Sequence, residues 1–220
     1  DIIKQLFYYL KSKNGYVSGS EHPLLSGLFL NSKIPFKIKN WSTFLIDLSL
    51  PKNELWNNFD KNSARKNIKR SIQKNVTVKE ITKNDLKIYH SILSESKKDT
   101  NHSDIEFSDL EIQWNLLHDV GFSGFLAWEN ELPLGGLAVS YFNNYVNEWG
   151  VARTSRDKSQ KFYSQDLIKW KIIEWGIEKK FSYYDLTGAN PNPKNPNEEG
   201  IFRYKQKWGG KMISYNLIGI

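Results

Sequence analysis

Apolar positions along this chain change their spacing several times, and each change marks an element. Val76-Thr77-Val78-Lys79-Glu80-Ile81 alternates with period two, the pattern of a half-buried strand. Asn84 or Asp85 then stands as the cap of a helix carrying Leu86, Tyr89 and Leu93. Ser108 opens a second helix with Ile112, Trp114 and Leu117, which closes near Gly121. Three strand-like runs come next: Phe122–Glu129, Leu134–Phe142 and Tyr145–Ala152. Asn130-Glu131 and Asn143-Asn144 supply short turns between them, so the runs predict an antiparallel meander. Leu167, Ile168, Trp170, Ile172, Trp175 and Ile177 mark a helix over Ser164–Lys180, and Tyr183–Thr187 is a strand. A loop rich in Pro and Asn, Gly188–Asn197, leads to a short helix over Glu198–Trp208. Gly209-Gly210 stops that helix, and Met212–Ile218 forms a last strand.

The N-terminal third is less regular. Leu6–Leu10 suits a helix, and Gly15, Gly19, Pro23 and Gly27 punctuate the next segment. Leu28-Phe29-Leu30 and Thr43–Leu48 have the composition of short strands. Pro51 opens a helix predicted to reach about Lys74, apolar at Leu55, Trp56, Phe59, Ile68 and Ile72. Its other side carries two basic rows, Lys61-Arg65-Lys69 and Lys66-Arg70-Lys74. Like charges at i, i+4 repel, and a phosphate or polyanion offsets that cost; a solvated face is the alternative. The segments divide as 1–50, a partial N-terminal subdomain; 51–75, a basic connecting helix; and 76–220, the main domain.

From Val76 the order is β-α-α-β-β-β-α-β-α-β. Strands joined across a long helix run parallel, whereas the meander is antiparallel. The fold class is therefore α/β (α+β): a mixed, mostly antiparallel sheet with helices on both faces. The switch from meander to crossover falls after Ala152. There the joined strands are expected to part at their carboxyl ends and open a crevice, a common ligand position.

Charge and composition narrow the partners. The 220 residues carry a formal net charge of +7, which favours an acidic partner unless it merely reflects a Lys- and Asn-rich composition. With no cysteine, disulfides and thiolate chemistry are excluded. His22, His90, His102 and His118 lack metal-ligand spacing, so no metal site is expected. No Gly-x-Ser-x-Gly elbow or Walker loop occurs. No apolar run is long enough to span a bilayer, and the first ten residues lack the features of a signal peptide. The chain is read as cytoplasmic, at most peripheral to a membrane.

Four stretches carry a family resemblance. They are the basic segment Ser63–Val76; Pro133-Leu134-Gly135-Gly136-Leu137-Ala138; Tyr183-Tyr184-Asp185-Leu186-Thr187-Gly188; and Gly200-Ile201-Phe202-Arg203-Tyr204-Lys205-Gln206-Lys207-Trp208-Gly209-Gly210. In their order and spacing the chain resembles the GNAT acyltransferases, and within them the Fem-type branch of peptidoglycan-bridge aminoacyl-tRNA transferases. The likeness spans roughly Thr43 to the end. That branch carries two GNAT-like halves; the resemblance implies that the second is complete here and that residues 1–50 are at most a remnant of the first.

Acyl transfer needs an acceptor held in line, an exit for its proton, and a stabilised carbonyl oxyanion. The resemblance implies that Lys205 stabilises negative charge on the donor ester or its transition state; otherwise it is a surface lysine of a basic helix. Tyr204 packs beside it, either against substrate or as a core aromatic. Glu148, on the strand before the crevice, is placed by alternation on the face of Val146 and Gly150, where burial would raise its pKa toward that of a general base. Asp185 is expected to face the same crevice, orienting an acceptor amine or pairing with Arg203 or Lys205. Arg153, Arg156, Tyr163 and Tyr183 complete the expected substrate-binding set, and Arg65, Lys66, Lys69 and Arg70 the anion-binding set. In GNAT enzymes a glycine-rich turn after the strand holds the donor's pyrophosphate. The corresponding Arg153–Ser164 has no glycine, which argues against ordinary acetyl-CoA binding.

The expected function is an N-acyl or aminoacyl transferase acting on an amino group of a cell-envelope precursor, an amino sugar or a peptide. The acceptor is small or lipid-linked. No cofactor is expected; the donor, aminoacyl-tRNA or an acyl thioester on CoA or an acyl-carrier protein, enters as co-substrate. The alternatives are a CoA-dependent N-acetyltransferase with a non-standard phosphate grip and a non-catalytic RNA- or anion-binding module.

Overall fold

The computed structural model describes residues 2–14, 18–27, 37–98 and 105–219. The run Leu28-Phe29-Leu30 and His102 lie outside them. In chain order the elements are α1 (Ile2–Asn14), β1 (Ser18–Ser20), β2 (Lys37–Asp47), α2 (Lys52–Asn58), α3 (Ala64–Gln73), β3 (Thr77–Glu80), α4 (Leu86–Lys98) and α5 (Phe107–Leu117). They continue with β4 (Phe122–Glu129), β5 (Leu132–Phe142), β6 (Tyr145–Arg153), α6 (Ser155–Gln160), α7 (Ser164–Glu178), β7 (Tyr183–Ala189), α8 (Pro196–Gln206) and β8 (Lys211–Gly219). Two compact units result. One comprises Asp1–Leu45, Leu186–Gln206 and Gly210–Ile220; the other comprises Ile46–Asp185 and Lys207–Gly209.

The larger unit is built on strands in the order β7-β6-β5-β4-β3, with residues 183–185 of β7 taking part. The meander β3 to β6 is antiparallel, and β6 and β7 are parallel, as a helical crossover demands. Asn130, Glu131, Asn143 and Asn144 all have positive φ, so both hairpin turns are of the primed type that matches strand twist. Helices cover both faces. Leu126 joins Tyr89, Leu93, Leu110 and Trp114 of α4 and α5 in one cluster. Its neighbour Phe125 meets Trp175 of α7 on the other face, ring centroids 5.6 Å apart. Successive strand side chains point to opposite sides, so neighbouring residues of β4 serve different layers.

Three local expectations are corrected. The helix expected over Pro51–Lys74 is two helices, α2 and α3. Phe59 is extended at the end of α2. The Asp60 carboxylate then accepts from the Asn62 and Ser63 N–H groups and the Ser63 hydroxyl, at 2.6–3.0 Å. A side chain that satisfies the backbone locally competes with the helix, and Lys61 consequently falls outside both helices. The helix cap expected at Asn84 or Asp85 is Thr82, whose N–H and hydroxyl both donate to the Asp85 carboxylate. The segment Arg153–Ser164, expected as a loop, contains α6, capped by Thr154 Oγ1 accepting from Asp157 N–H at 3.1 Å.

A fourth correction concerns β6. Ala138 pairs with Gly150 but Val139 pairs with Glu148, so Trp149 is an extra residue, a β-bulge. The bulge breaks the alternation on which Glu148 and Gly150 were assigned to one face. A Cβ on Gly150 would run into Tyr89 of α4, and the Tyr89 hydroxyl donates to the Gly150 carbonyl at 2.8 Å. Glu148 faces α7.

The smaller unit orders its strands β1-β8-β2-β7, with residues 186–189 of β7. β8 is antiparallel to both β1 and β2. Phe44 of β2 packs edge-on against Phe202 of α8, centroids 5.1 Å apart.

Candidate functional site

Helix α7 is buried at 164–170, 172, 173, 175 and 176, so its polar side chains must find partners inside the protein. Lys169 does so by ion-pairing with Glu148, both nearly inaccessible, and the Tyr184 hydroxyl donates to the same Glu148 oxygen at 2.7 Å. One turn earlier, Asp166 pairs with Lys207. Burial raises the pKa of Asp166, opposed by the Lys207 charge; burial lowers that of Lys207, opposed by Asp166. Gln165 donates to the carbonyls of Gly136 at 3.1 Å and Ala152 at 2.8 Å, joining the helix start to β5 and β6.

Asp185 is also buried and accepts a hydrogen bond from the Tyr145 hydroxyl. Tyr183, half-buried, lies beside Tyr145 with ring centroids 6.5 Å apart. The parallel ladder is formed by Tyr145↔Tyr183, Val146↔Tyr184 and Asn147↔Asp185. Tyr184 bonds Glu148, so Asp185, the next residue on the strand, points to the opposite face. Glu148 and Asp185 are thus not brought together on one side of the sheet.

The expected anion-binding residues divide. Lys66, Lys69 and Arg70 are exposed on α3, and Arg65 is half-buried with its Nε lacking a hydrogen-bond partner. Arg70 already reaches the Tyr163 hydroxyl at 3.3 Å and lies over that ring. Lys74, just past α3, donates to the Gln160 carbonyl at 2.6 Å at the end of α6. Arg153 engages Asp157 through both Nε and Nη2, at 2.7 Å each. Arg156 pairs with Glu129 and lies over the Phe162 ring.

In the smaller unit, α8 brings Lys205 to the end of β7. Its ammonium donates to the Gly188 carbonyl at 2.7 Å and lies 3.5 Å from Thr187 Oγ1. Thr187 has a φ of 59°, a left-handed backbone unusual for a β-branched residue. Buried Thr43 and Ser42 donate to the carbonyls of Thr187 at 2.8 Å and Ala189 at 2.9 Å, so three successive carbonyls are each held by a side chain. Tyr204 is half-buried beside Lys205, and Arg203 is exposed and pairs with Glu199 at 3.2 Å. Among the described residues no group of His, Cys, Asp or Glu could hold a metal ion, and no helix is long and apolar enough to cross a membrane.

Sequence reasoning missed Lys169, Tyr184, Asp157 and the Asp166–Lys207 pair. A signal exists for the first: Lys169 lies between Ile168 and Trp170 in a helix with apolar residues on every side, where a lysine needs an internal partner.

The fold so described is the mixed, mostly antiparallel sheet of the GNAT-like acyltransferases. Its Fem-type form is found in FemX, which superposes with a TM-score of 0.70 at 13% identity over 80% of this chain; the chain spans 61% of FemX. L-PGS from Bacillus licheniformis gives a TM-score of 0.64 at 11% identity, over 99% of this chain and 72% of that one. The C-terminal domain (DUF2156) of a putative lysylphosphatidylglycerol synthetase from Agrobacterium fabrum gives 0.64 at 10% identity, over the same shares. No protein-family model matches the chain, and no curated protein matches it in sequence. Identities this low establish the fold alone.

Proposed function

We propose that this protein is an N-acyl or aminoacyl transferase whose acceptor is an amino group on a cell-envelope precursor, an amino sugar or a peptide. The observation that carries this is the Lys205 ammonium, part-buried and fixed at the carboxyl end of β7 on the Gly188 carbonyl. A cation already oriented when negative charge develops on a carbonyl oxygen lowers the barrier without reorganising solvent. The fold shared with FemX supports the class of reaction, and aminoacyl-tRNA is the donor that the Fem-type resemblance of the sequence implies. Asp185, buried and accepting the Tyr145 hydroxyl, is proposed to hold β6 and β7 together. As a general base Glu148 would have to take a proton while held by Lys169 and Tyr184, so its proposed part is to position β6.

Lys205→Ala should lower turnover by about 100-fold or more, since one preorganised charge is worth roughly 3 kcal/mol. Circular dichroism and the unfolding midpoint should stay close to wild type. Unchanged turnover removes Lys205 from the reaction. A second reading, a module that binds RNA or another polyanion without catalysis, is favoured by the exposed Lys66 and Lys69 and by the separation of Glu148 from Asp185. No turnover in the wild-type chain with aminoacyl-tRNA or acyl thioester donors, together with salt-sensitive RNA binding, would select it.

A further inference from the structure

A long helix that begins shortly after a strand offers an anion site, because its first N–H groups point outward and its dipole favours negative charge. Helix α7, 15 residues long, follows β6 with only the short α6 between them. Here the chain supplies the anion itself. Asp157 is fully buried. Its Oδ1 accepts the Ser164 N–H, the first of α7, at 3.0 Å, and its Oδ2 accepts from Arg153 Nε and Nη2 at 2.7 Å each. Thr154 Oγ1 accepts the Asp157 N–H at 3.1 Å and the Phe162 N–H donates to the Asp157 carbonyl at 3.2 Å, so the backbone from which the carboxylate reaches is held on both sides. A second buried carboxylate, Asp166, stands in the same helical turn.

Coenzyme A, which a GNAT-like fold implies, would set its pyrophosphate at this helix start. The residues present do not fit it. A phosphate there would meet the Asp157 carboxylate, already seated on the first N–H of α7, and the Arg153 guanidinium beside it is already engaged by Asp157, while Asp166 is paired with Lys207. Ser164 Oγ, a hydroxyl that can donate, is buried at the same turn without a hydrogen-bond partner, so donor capacity remains beside the Ser164 N–H if the carboxylate is removed. We infer that Asp157 is an internal anion that closes the α7 terminus to phosphate, making it a specificity-determining residue against donors gripped through a pyrophosphate. The consequence for the donor rests on the transferase function proposed above; the filled anion position does not.

The test monitors backbone amides by NMR while inorganic pyrophosphate is added to the wild type and to Asp157→Ser. In the wild type the Ser164 amide should not move. In Asp157→Ser it should shift saturably, together with the Arg153 Nε signal. Shifts confined to α3, which is basic in both proteins, do not bear on the question. A saturable Ser164 shift in the wild type overturns the inference, whether or not the variant folds. So does an unmoved Ser164 in an Asp157→Ser protein whose spectrum is otherwise native. Because the readout is binding at a named amide, absence of transferase activity leaves it intact, and only the consequence for the donor is then withdrawn.

Discussion

At the scale of single residues, burial decides what the ionisable side chains of α7 contribute. Glu148 and Lys169 form a nearly inaccessible pair, in which removal of one partner strands the other charge and costs about 3–5 kcal/mol. Asp166 and Lys207 are a milder case. For each, burial disfavours the charged form more than the partner restores it: the Asp166 pKa lies above its usual 3.8 and the Lys207 pKa below its usual 10.5. A carboxyl raised on folding binds more protons in the native state than in the unfolded one. Its contribution is fully present below pH 3.8 and is lost as pH rises through the folded value. Wild type should therefore gain stability relative to Asp166→Asn as pH is lowered from neutrality toward 3.8, read from urea midpoints at constant ionic strength. The opposite slope would mean that attraction to Lys207 outweighs burial.

Among the elements, the turn between α8 and β8 is the most exacting. Gly209 has a φ of 67°, and a Cβ there would run into the Asn58 carbonyl at the end of α2. The preceding Trp208, 1% exposed, packs edge-on against Phe59 with centroids 5.2 Å apart. Gly209 thus serves to seat Trp208 in the core of the larger unit. Gly209→Ala should cost on the order of 1–3 kcal/mol from the backbone alone. Chemical denaturation measures that loss, and Trp208 fluorescence should shift toward solvent. The sequence made this turn legible as a helix stop, because glycine after a basic, aromatic-rich helix has few other uses. It left the break between α2 and α3 illegible. Large apolar residues flank the gap at 60–67 on both sides, so the pattern does not say whether one helix or two cross it, and the local hydrogen bonds of Asp60 decide for two.

For the whole molecule, a net charge of +7 predicts attraction to polyanions, and α3 is where exposed lysines gather. Arg70 and Lys74 already have internal partners, which leaves Lys66 and Lys69 as the side chains best disposed to meet phosphates. If RNA docks there, Lys66→Ala/Lys69→Ala should weaken binding to a single-stranded RNA. It should also flatten the slope of log K against log salt by about 1.4, two counterion-releasing contacts at roughly 0.7 each. Fluorescence anisotropy between about 50 and 200 mM salt measures both. An unchanged slope would move the polyanion surface away from α3.

The element order from Val76 onward, the primed turns at Asn130-Glu131 and Asn143-Asn144, and the parallel crossover to β7 arise from periodicity and turn chemistry, both local properties of the chain. The resemblance of the C-terminal signature points to Lys205, while the Gly188 carbonyl on which its ammonium rests is set by the tertiary structure. The position of Glu148 was decided only in three dimensions. One unpaired residue, Trp149, turns it from the face of Gly150 to that of Lys169, and a bulge leaves no mark on hydrophobic spacing. Asp157 belongs to the same class. In sequence it is one acidic residue in a basic stretch, and it becomes an anion at the start of α7 only because α6 folds back to bring its carboxylate to the Ser164 N–H. Local pattern fixes which elements form; which charges meet depends on contacts between residues whose partners the pattern does not name.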